Sequence, residues 1–307
     1  IARRQRQMCI RDSVKALAMK KWFNTNYHYI VPEIEDDTVI SLDCEKLTGE
    51  YEEAKELGIK TKPVVIGPYT MLKLCRYVGS KNAEDFADDV AEAYRQLIAE
   101  CDEENVEWLQ FDEPSLVRDM DDDDKALFHR VYDRVFADRA DCKILLQTYF
   151  GDVRDVYEDI INMPFAGIGL DFIEGKQTGQ LIDGYGFPGD KVLFAGLVNG
   201  KNIWRNHYDK TLKVVGQLRD KKIDVVLSTS CSLLHVPYTL KQETKLSQDY
   251  LRFFAFAEEK LIELSELAAL AESYNYTELE AYHKNQELFA GTRDCNSYEV
   301  RQRLAAV

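Results

Sequence analysis

The sequence predicts an α/β fold: an incomplete (β/α)8 barrel of TIM type, with six parallel barrel strands remaining and helices following them. Three observations predict it. Near-continuous apolar runs recur at Val64-Val65-Ile66, Trp108-Leu109-Gln110-Phe111, Ile144-Leu145-Leu146, Ile168-Gly169-Leu170, Val192-Leu193-Phe194 and Val225-Val226-Leu227, as expected of parallel strands covered on both faces. The runs are spaced by about 32 residues, the length of one βα unit. The segments between them carry apolar residues at the helical period of about 3.6 residues. Repeats of this kind build an open doubly wound sheet or a closed barrel. A barrel closes with eight strands, so the chain reads as about two units short.

Taken in order, Ile1–Ser13 does not fit the rest. It holds Arg3, Arg4, Arg6 and Arg11 in an otherwise acidic chain and shows neither helical nor strand period. It reads as a non-native, adapter-like segment and is set aside, leaving 14–307 as one barrel domain. Tyr27–Val31 is a possible extra strand. Asn82–Asn105 predicts a helix, with Phe86, Val90, Ala93, Leu97 and Ile98 on one face. Asp123–Asp138 predicts another through Leu127, Val131, Val135 and Phe136, and the preceding Asp121–Asp124 run favours its N-terminus. Ser247 reads as the N-cap of a long helix whose stripe includes Tyr250, Phe254, Ala257, Leu261, Leu264 and Ala268. No low-complexity linker separates Lys62 from Leu270, and Leu240–Leu270 has the character of a closing helix. The shortage of strands therefore falls at the N-terminal side, and the strands at 64–66 and 225–227 are expected to be edges.

Composition narrows the function. Among 307 residues, 39 Lys and Arg stand against 54 Asp and Glu, a net charge of −15. Such a chain is a poor general binder of nucleic acid or anionic membrane. No apolar run reaches membrane-spanning length, and no secretory signal pattern opens the chain. Seven cysteines, an odd number without a CxxC pair, fit a reducing cytoplasm.

In parallel α/β folds ligands meet the C-terminal ends of strands. The residues just past the apolar runs are polar: Gly67-Pro68-Tyr69-Thr70, Asp112-Glu113-Pro114, Thr148-Tyr149, Asp171, Asn199, and Ser230-Cys231 with His235. Adjacent Asp112 and Glu113 point to opposite faces of a strand, so one is expected at the mouth and one paired with a neighbour. Cys231 and His235 have a metal-like spacing, but two ligands make no zinc site. Val14–Trp22 carries Lys15, Lys20 and Lys21 and no acid. That suits a local anion contact, with Trp22 and Phe23 available for packing.

The stretch Lys20-Lys21-Trp22-Phe23-Asn24-Thr25-Asn26-Tyr27-His28-Tyr29-Ile30-Val31-Pro32-Glu33 closely resembles the cobalamin-independent methionine synthase family. So do Lys62–Thr70, Gln110–Pro114, Leu145–Phe150, Gly196–Arg205 and Ser230-Cys231-Ser232-Leu233-Leu234-His235. The resemblance runs from Val14 to the end. It implies an S-methyltransferase that moves a methyl group from 5-methyltetrahydropteroyltri-L-glutamate to L-homocysteine. It implies two tandem barrels, of which this chain matches the N-terminal one without its first two βα units. Zinc is then expected in the C-terminal barrel, with no cofactor, no metal and no catalytic residue in this chain. Thr148 and Phe150 stand where two ligands would be, leaving Asp112, Asp171 and Cys231 as a vestigial strand-end site. Lys21 matches the family's contact to the folate triglutamate. The partners implied are that tail and the C-terminal catalytic barrel. A self-contained uroporphyrinogen-decarboxylase-like barrel enzyme and a non-catalytic interaction module are the alternatives.

Overall fold

A computed structural model describes residues 17–290 and 298–305. The segment 1–13, read above as non-native, lies outside the described residues. The chain divides into two compact units, one running through Gly196 with Ile223–Val226, the other comprising Leu197–Lys222 and the residues from Leu227 onward.

The first unit opens with β1 (Met19–Lys21) and β2 (His28–Ile30), then β3 (Glu33–Glu35), α1 (Glu45–Glu56), β4 (Val64–Ile66), α2 (Pro68–Leu74) and β5 (Arg76–Val78). It continues through α3 (Ala87–Glu103), β6 (Trp108–Asp112), α4 (Asp122–Val135), β7 (Lys143–Gln147), α5 (Tyr157–Asn162), β8 (Gly167–Asp171), α6 (Thr178–Tyr185) and β9 (Val192–Val198). The main sheet has six strands, the last being β10 (Asp224–Thr229), in the order β10-β9-β8-β7-β6-β4. Pairing is parallel, with Val64 opposite Gln110, Trp108 opposite Lys143, Leu145 opposite Gly167 and Gly167 opposite Val192. All six apolar runs are strands, and each neighbours the next, as right-handed βα repeats place them.

The helices cover this sheet with the faces their periods predict. α3 buries Val90, Ala91, Leu97, Ile98 and Cys101, and α4 buries Leu127, Phe128, Val131, Tyr132 and Val135. Asp121 caps α4, its side chain accepting the Asp124 N–H at 2.8 Å, while Asp122, Asp123 and Asp124 line the positive end of the helix. Strands β7 and β8 are almost wholly buried, but Val64 and Ile66 of β4 remain 51% and 43% exposed. β4 ends the sheet order, and α1 beside it buries no residue. Between them lies a cavity of about 650 Å³ lined by Leu42, Leu47, Tyr51, Val64, Met71 and Tyr94, among others.

Two elements differ from expectation. The segment 27–31 does form a strand, but β2 pairs antiparallel with β1 and stays outside the main sheet. The local turn decides this: Trp22 N–H donates to Tyr27 O, and the Thr25 hydroxyl donates to Trp22 O at 2.7 Å. A tight connection permits only an antiparallel partner. β3 and β5 form a second small sheet, parallel and three residues deep, too short for periodicity to reveal.

The second unit holds α7 (Tyr208–Asp220), α8 (Gln248–Leu251), α9 (Ala257–Glu272), α10 (Glu280–Ala290) and α11 (Tyr298–Ala305). Val198, Tyr208, Leu212, Leu267 and Leu270 form its core. The long helix expected from Ser247 is broken. α8 is a single turn, and the following backbone is taken by the 203–205 loop, Arg205 N–H donating to Phe253 O and Ala255 N–H to Ile203 O. The expected apolar stripe is also out of phase. Tyr250 and Leu261 are 65% and 57% exposed, whereas α9 buries Glu259, Lys260 and Glu263 with Leu267 and Leu270. A buried face carrying charges gives little amphipathic signal.

Five cysteines among the described residues are free thiols: Cys44, Cys75, Cys101, Cys142 and Cys231. Burial pushes the Cys75 thiol up to about 11 and those of Cys101 and Cys142 up to about 12.

Candidate functional site

In the first unit the polar strand ends resolve into two kinds of group. Glu113 is a buttress. It is fully buried and accepts the Tyr69 N–H at 2.9 Å, the Thr70 N–H at 2.7 Å and the Tyr132 hydroxyl at 2.7 Å. It thereby satisfies the open N–H groups of α2. Gly67 precedes that helix, and a Cβ there would collide with the Glu113 carboxylate. Burial raises Glu113 to about 7 against the pull of these donors.

Asp112 and Asp171 lie in one connected cluster. Asp112 accepts the Gln110 amide at 2.7 Å and the Tyr149 hydroxyl at 3.2 Å. The next residue, Phe150, gives its N–H to Asp171 at 3.0 Å, and Asp171 also accepts the N–H groups of Ile173 and Glu174. Burial pushes both carboxylates up to about 6, opposed by these hydrogen bonds and, at Asp112, by Lys62. A raised carboxyl holds its proton more tightly folded than unfolded. The stability it contributes is therefore complete below the ordinary carboxylate range, about pH 4, and is lost as pH rises through the folded value. Carboxyl carbon NMR is expected to show Asp112 and Asp171 titrating near 6 and Glu113 near 7. Midpoints near 4 would overturn the burial argument.

Lys21 ends β1 and is exposed, opposite His28. Its hairpin is anchored to the same cluster. Phe23 lies in the left-handed region at φ 51°, unusual for a bulky residue. Its ring meets Phe150, itself at φ 74°, with centroids 6.0 Å apart. The Arg118 guanidinium lies 4.6 Å from the Phe23 ring centre, and Trp22 packs edge-on against Phe23 and Tyr29. Lys21, Asp112 and Asp171 are thus joined through the hairpin tip. Sequence reasoning missed Arg118 and the ring contact of Phe150 with Phe23, because nothing local marks contacts between residues 95 and 127 positions apart.

Cys231 belongs to the second unit. It is buried beside Gly200, where a Cβ would strike it, and its thiol donates weakly to Ser232 O. Near it lies a charged group that the sequence did not reveal. Lys260 is fully buried and donates to Trp204 O at 3.1 Å; Glu263, also fully buried, accepts the Asn206 N–H at 3.0 Å and sits 3.8 Å from Arg205. Among the described residues no three His, Cys, Asp or Glu side chains are grouped to hold a metal ion, and no helix is long and apolar enough to cross a membrane.

A parallel sheet covered by helices, with carboxylates and aromatic rings at its strand ends, defines an α/β fold of the kind in which ligands meet the C-terminal ends of the strands. The model of the cobalamin-independent synthase N-terminal domain matches residues 1–223, and the chain belongs to that family. It is 50% identical over 293 residues to the 5-methyltetrahydropteroyltriglutamate–homocysteine methyltransferase of Lactococcus lactis, covering 95% of this chain and 38% of the relative. The enzyme of that name from Campylobacter jejuni subsp. doylei is 48% identical over 294 residues, covering 96% and 39%. The chain therefore spans well under half the length of these relatives. A solved B12-independent methionine synthase from Shewanella shares the fold, with a TM-score of 0.54 at 17% identity over 79% of this chain and 73% of that one.

Proposed function

We propose that this chain is part of a methionine synthase that transfers a methyl group from 5-methyltetrahydropteroyltri-L-glutamate to L-homocysteine in the cytoplasm. It acts as the N-terminal barrel, without its first two βα units, supporting a C-terminal catalytic barrel. Lys21 contacts the polyglutamate tail. The observation that carries this reading is the exposed Lys20-Lys21 pair, acid-free in an acidic chain, on a hairpin anchored at the strand ends. A fixed cation at that face suits a polyanion. The unpaired edge of β4, with the cavity beside it, supports the reading that further strand–helix units pack there.

The catalytic chemistry belongs elsewhere in this reading. Zinc, which the family resemblance implies, supplies a lowered thiol pKa to the homocysteine acceptor. The residues here do not fit it. Asp171 spends both oxygens on backbone N–H groups, the Thr148 hydroxyl donates to Gly169 O at 2.8 Å, and Phe150 has no ligating atom. The vestigial strand-end residues Asp112, Asp171 and Cys231 then hold structure rather than react.

Calorimetric titration of the chain with tri- and monoglutamyl 5-methyltetrahydropteroate tests the tail contact. Lys21→Ala is expected to weaken the triglutamate by about 5- to 10-fold, the worth of one charge-assisted contact, and to leave the monoglutamate within about twofold. Equal affinities for both proteins would refute the contact.

A further inference from the structure

Most of the described arginines of the first unit are neutralised. Arg76 pairs with Glu33, Arg95 with Glu92, Arg130 with Asp88 and Arg154 with Asp119 and Asp152. Arg118 is exposed and has no carboxylate partner among the described residues, although the chain carries a net charge of −15. Its sequence neighbour Asp119 is turned to Arg154 instead. The guanidinium lies over Phe23, and its charge reaches the Tyr29 hydroxyl. Lys20, opposite Tyr29 in the hairpin, and Lys21 are likewise exposed and without an acidic partner among the described residues.

A planar cation stacked on an aromatic ring is held in place with its edge N–H groups open. Phe23 is itself fixed by its left-handed backbone and by Phe150, and such strain persists only where the surroundings enforce it. The fold therefore holds a preorganised, unneutralised fork over Phe23, the residue two positions beyond Lys21 in the hairpin. Its shape matches the paired oxygens of a carboxylate, and a polyglutamate tail presents several.

We propose that Arg118 is a second contact for the anionic tail held at Lys21, the two cations gripping different carboxylates of one polyglutamate. The proposal rests on the tail reading of Lys21. Its reach is specific: it makes Arg118 a sensor of tail length rather than of the pterin.

The test uses the 307-residue chain and compares mono-, di- and triglutamyl 5-methyltetrahydropteroate by titration calorimetry. Arg118→Ala is expected to weaken the triglutamate about 5- to 10-fold and the monoglutamate by less than about twofold, with Arg118→Lys between, since it keeps charge but not the fork. Arg139→Ala removes the same charge from an exposed site just before β7, at the other end of the strands. It is expected to change nothing. Unchanged triglutamate binding in Arg118→Ala, with Lys21→Ala still impaired, would overturn the proposal and spare the tail reading. An equal loss in Arg139→Ala would reduce the effect to net charge and also overturn it. Unchanged binding in Lys21→Ala would overturn the tail reading and the two-cation grip with it.

Discussion

Replacing Glu113 with alanine is expected to destabilise the first unit by about 3–5 kcal/mol, the cost of leaving several buried polar partners unpaired. The side chain serves three donors at once: the Tyr69 and Thr70 N–H groups and the Tyr132 hydroxyl. None can turn to water, because Tyr69, Thr70 and Tyr132 are all buried. Two are the open amides at the start of α2, so the loss also frays the helix following β4. Glu113→Gln keeps the volume but sets an NH2 group against a donor, and is expected to lose about half as much. Tyr132→Phe removes one donor and is expected to cost about 1 kcal/mol. Urea unfolding followed by circular dichroism measures all three. A loss below about 1 kcal/mol for Glu113→Ala would show that water reaches those amides.

In the second unit the corresponding substitution is Glu263→Ala. It strips the counter-charge from Lys260 and Arg205 and is expected to cost about 3–5 kcal/mol, as breaking a buried pair from one side does. Burial pushes Glu263 up and Lys260 down, so in both partners desolvation outweighs attraction. A paired apolar replacement, Lys260→Met with Glu263→Leu, is therefore expected to cost less than Glu263→Ala alone. Its fit is favoured by the neighbouring core of Leu267 and Leu270. A double replacement costing as much as Glu263→Ala alone, or more, would overturn this and mean that the charged pair is favoured over its apolar substitute.

The main sheet was legible because its inner strands are covered on both faces. Burial on two sides writes a run of apolar residues that no alternation blurs, and β7 and β8 show it most plainly. α4 was legible from both its period and its acidic first turn. What stayed hidden depends on distant partners. That Glu113 rather than Asp112 is the fully buried one follows from α2, more than forty residues earlier. The break after Leu251 follows from hydrogen bonds to the 203–205 loop. The charged inner face of α9 inverts the pattern by which helix faces are read. At the candidate site, Asp112, Asp171 and Lys21 were visible as polar groups in telling positions. Their linkage through Phe23 and Phe150 was not, since a ring contact leaves no periodic trace.

The buried thiols turn this molecule into its own clock. With pKa values near 12, Cys101 and Cys142 hold roughly a thousandfold less thiolate at neutral pH than an ordinary cysteine. An alkylating reagent is nearly blind to them while the chain is closed. Cys142 follows α4 and its N–H is held by Asp102 at 2.6 Å, while Cys101 lies on the last turn of α3. Both therefore sit at the end of the sheet opposite the Lys21 hairpin. The rate at which they become labelled counts how often that end comes apart, molecule by molecule, without a denaturant or an attached dye.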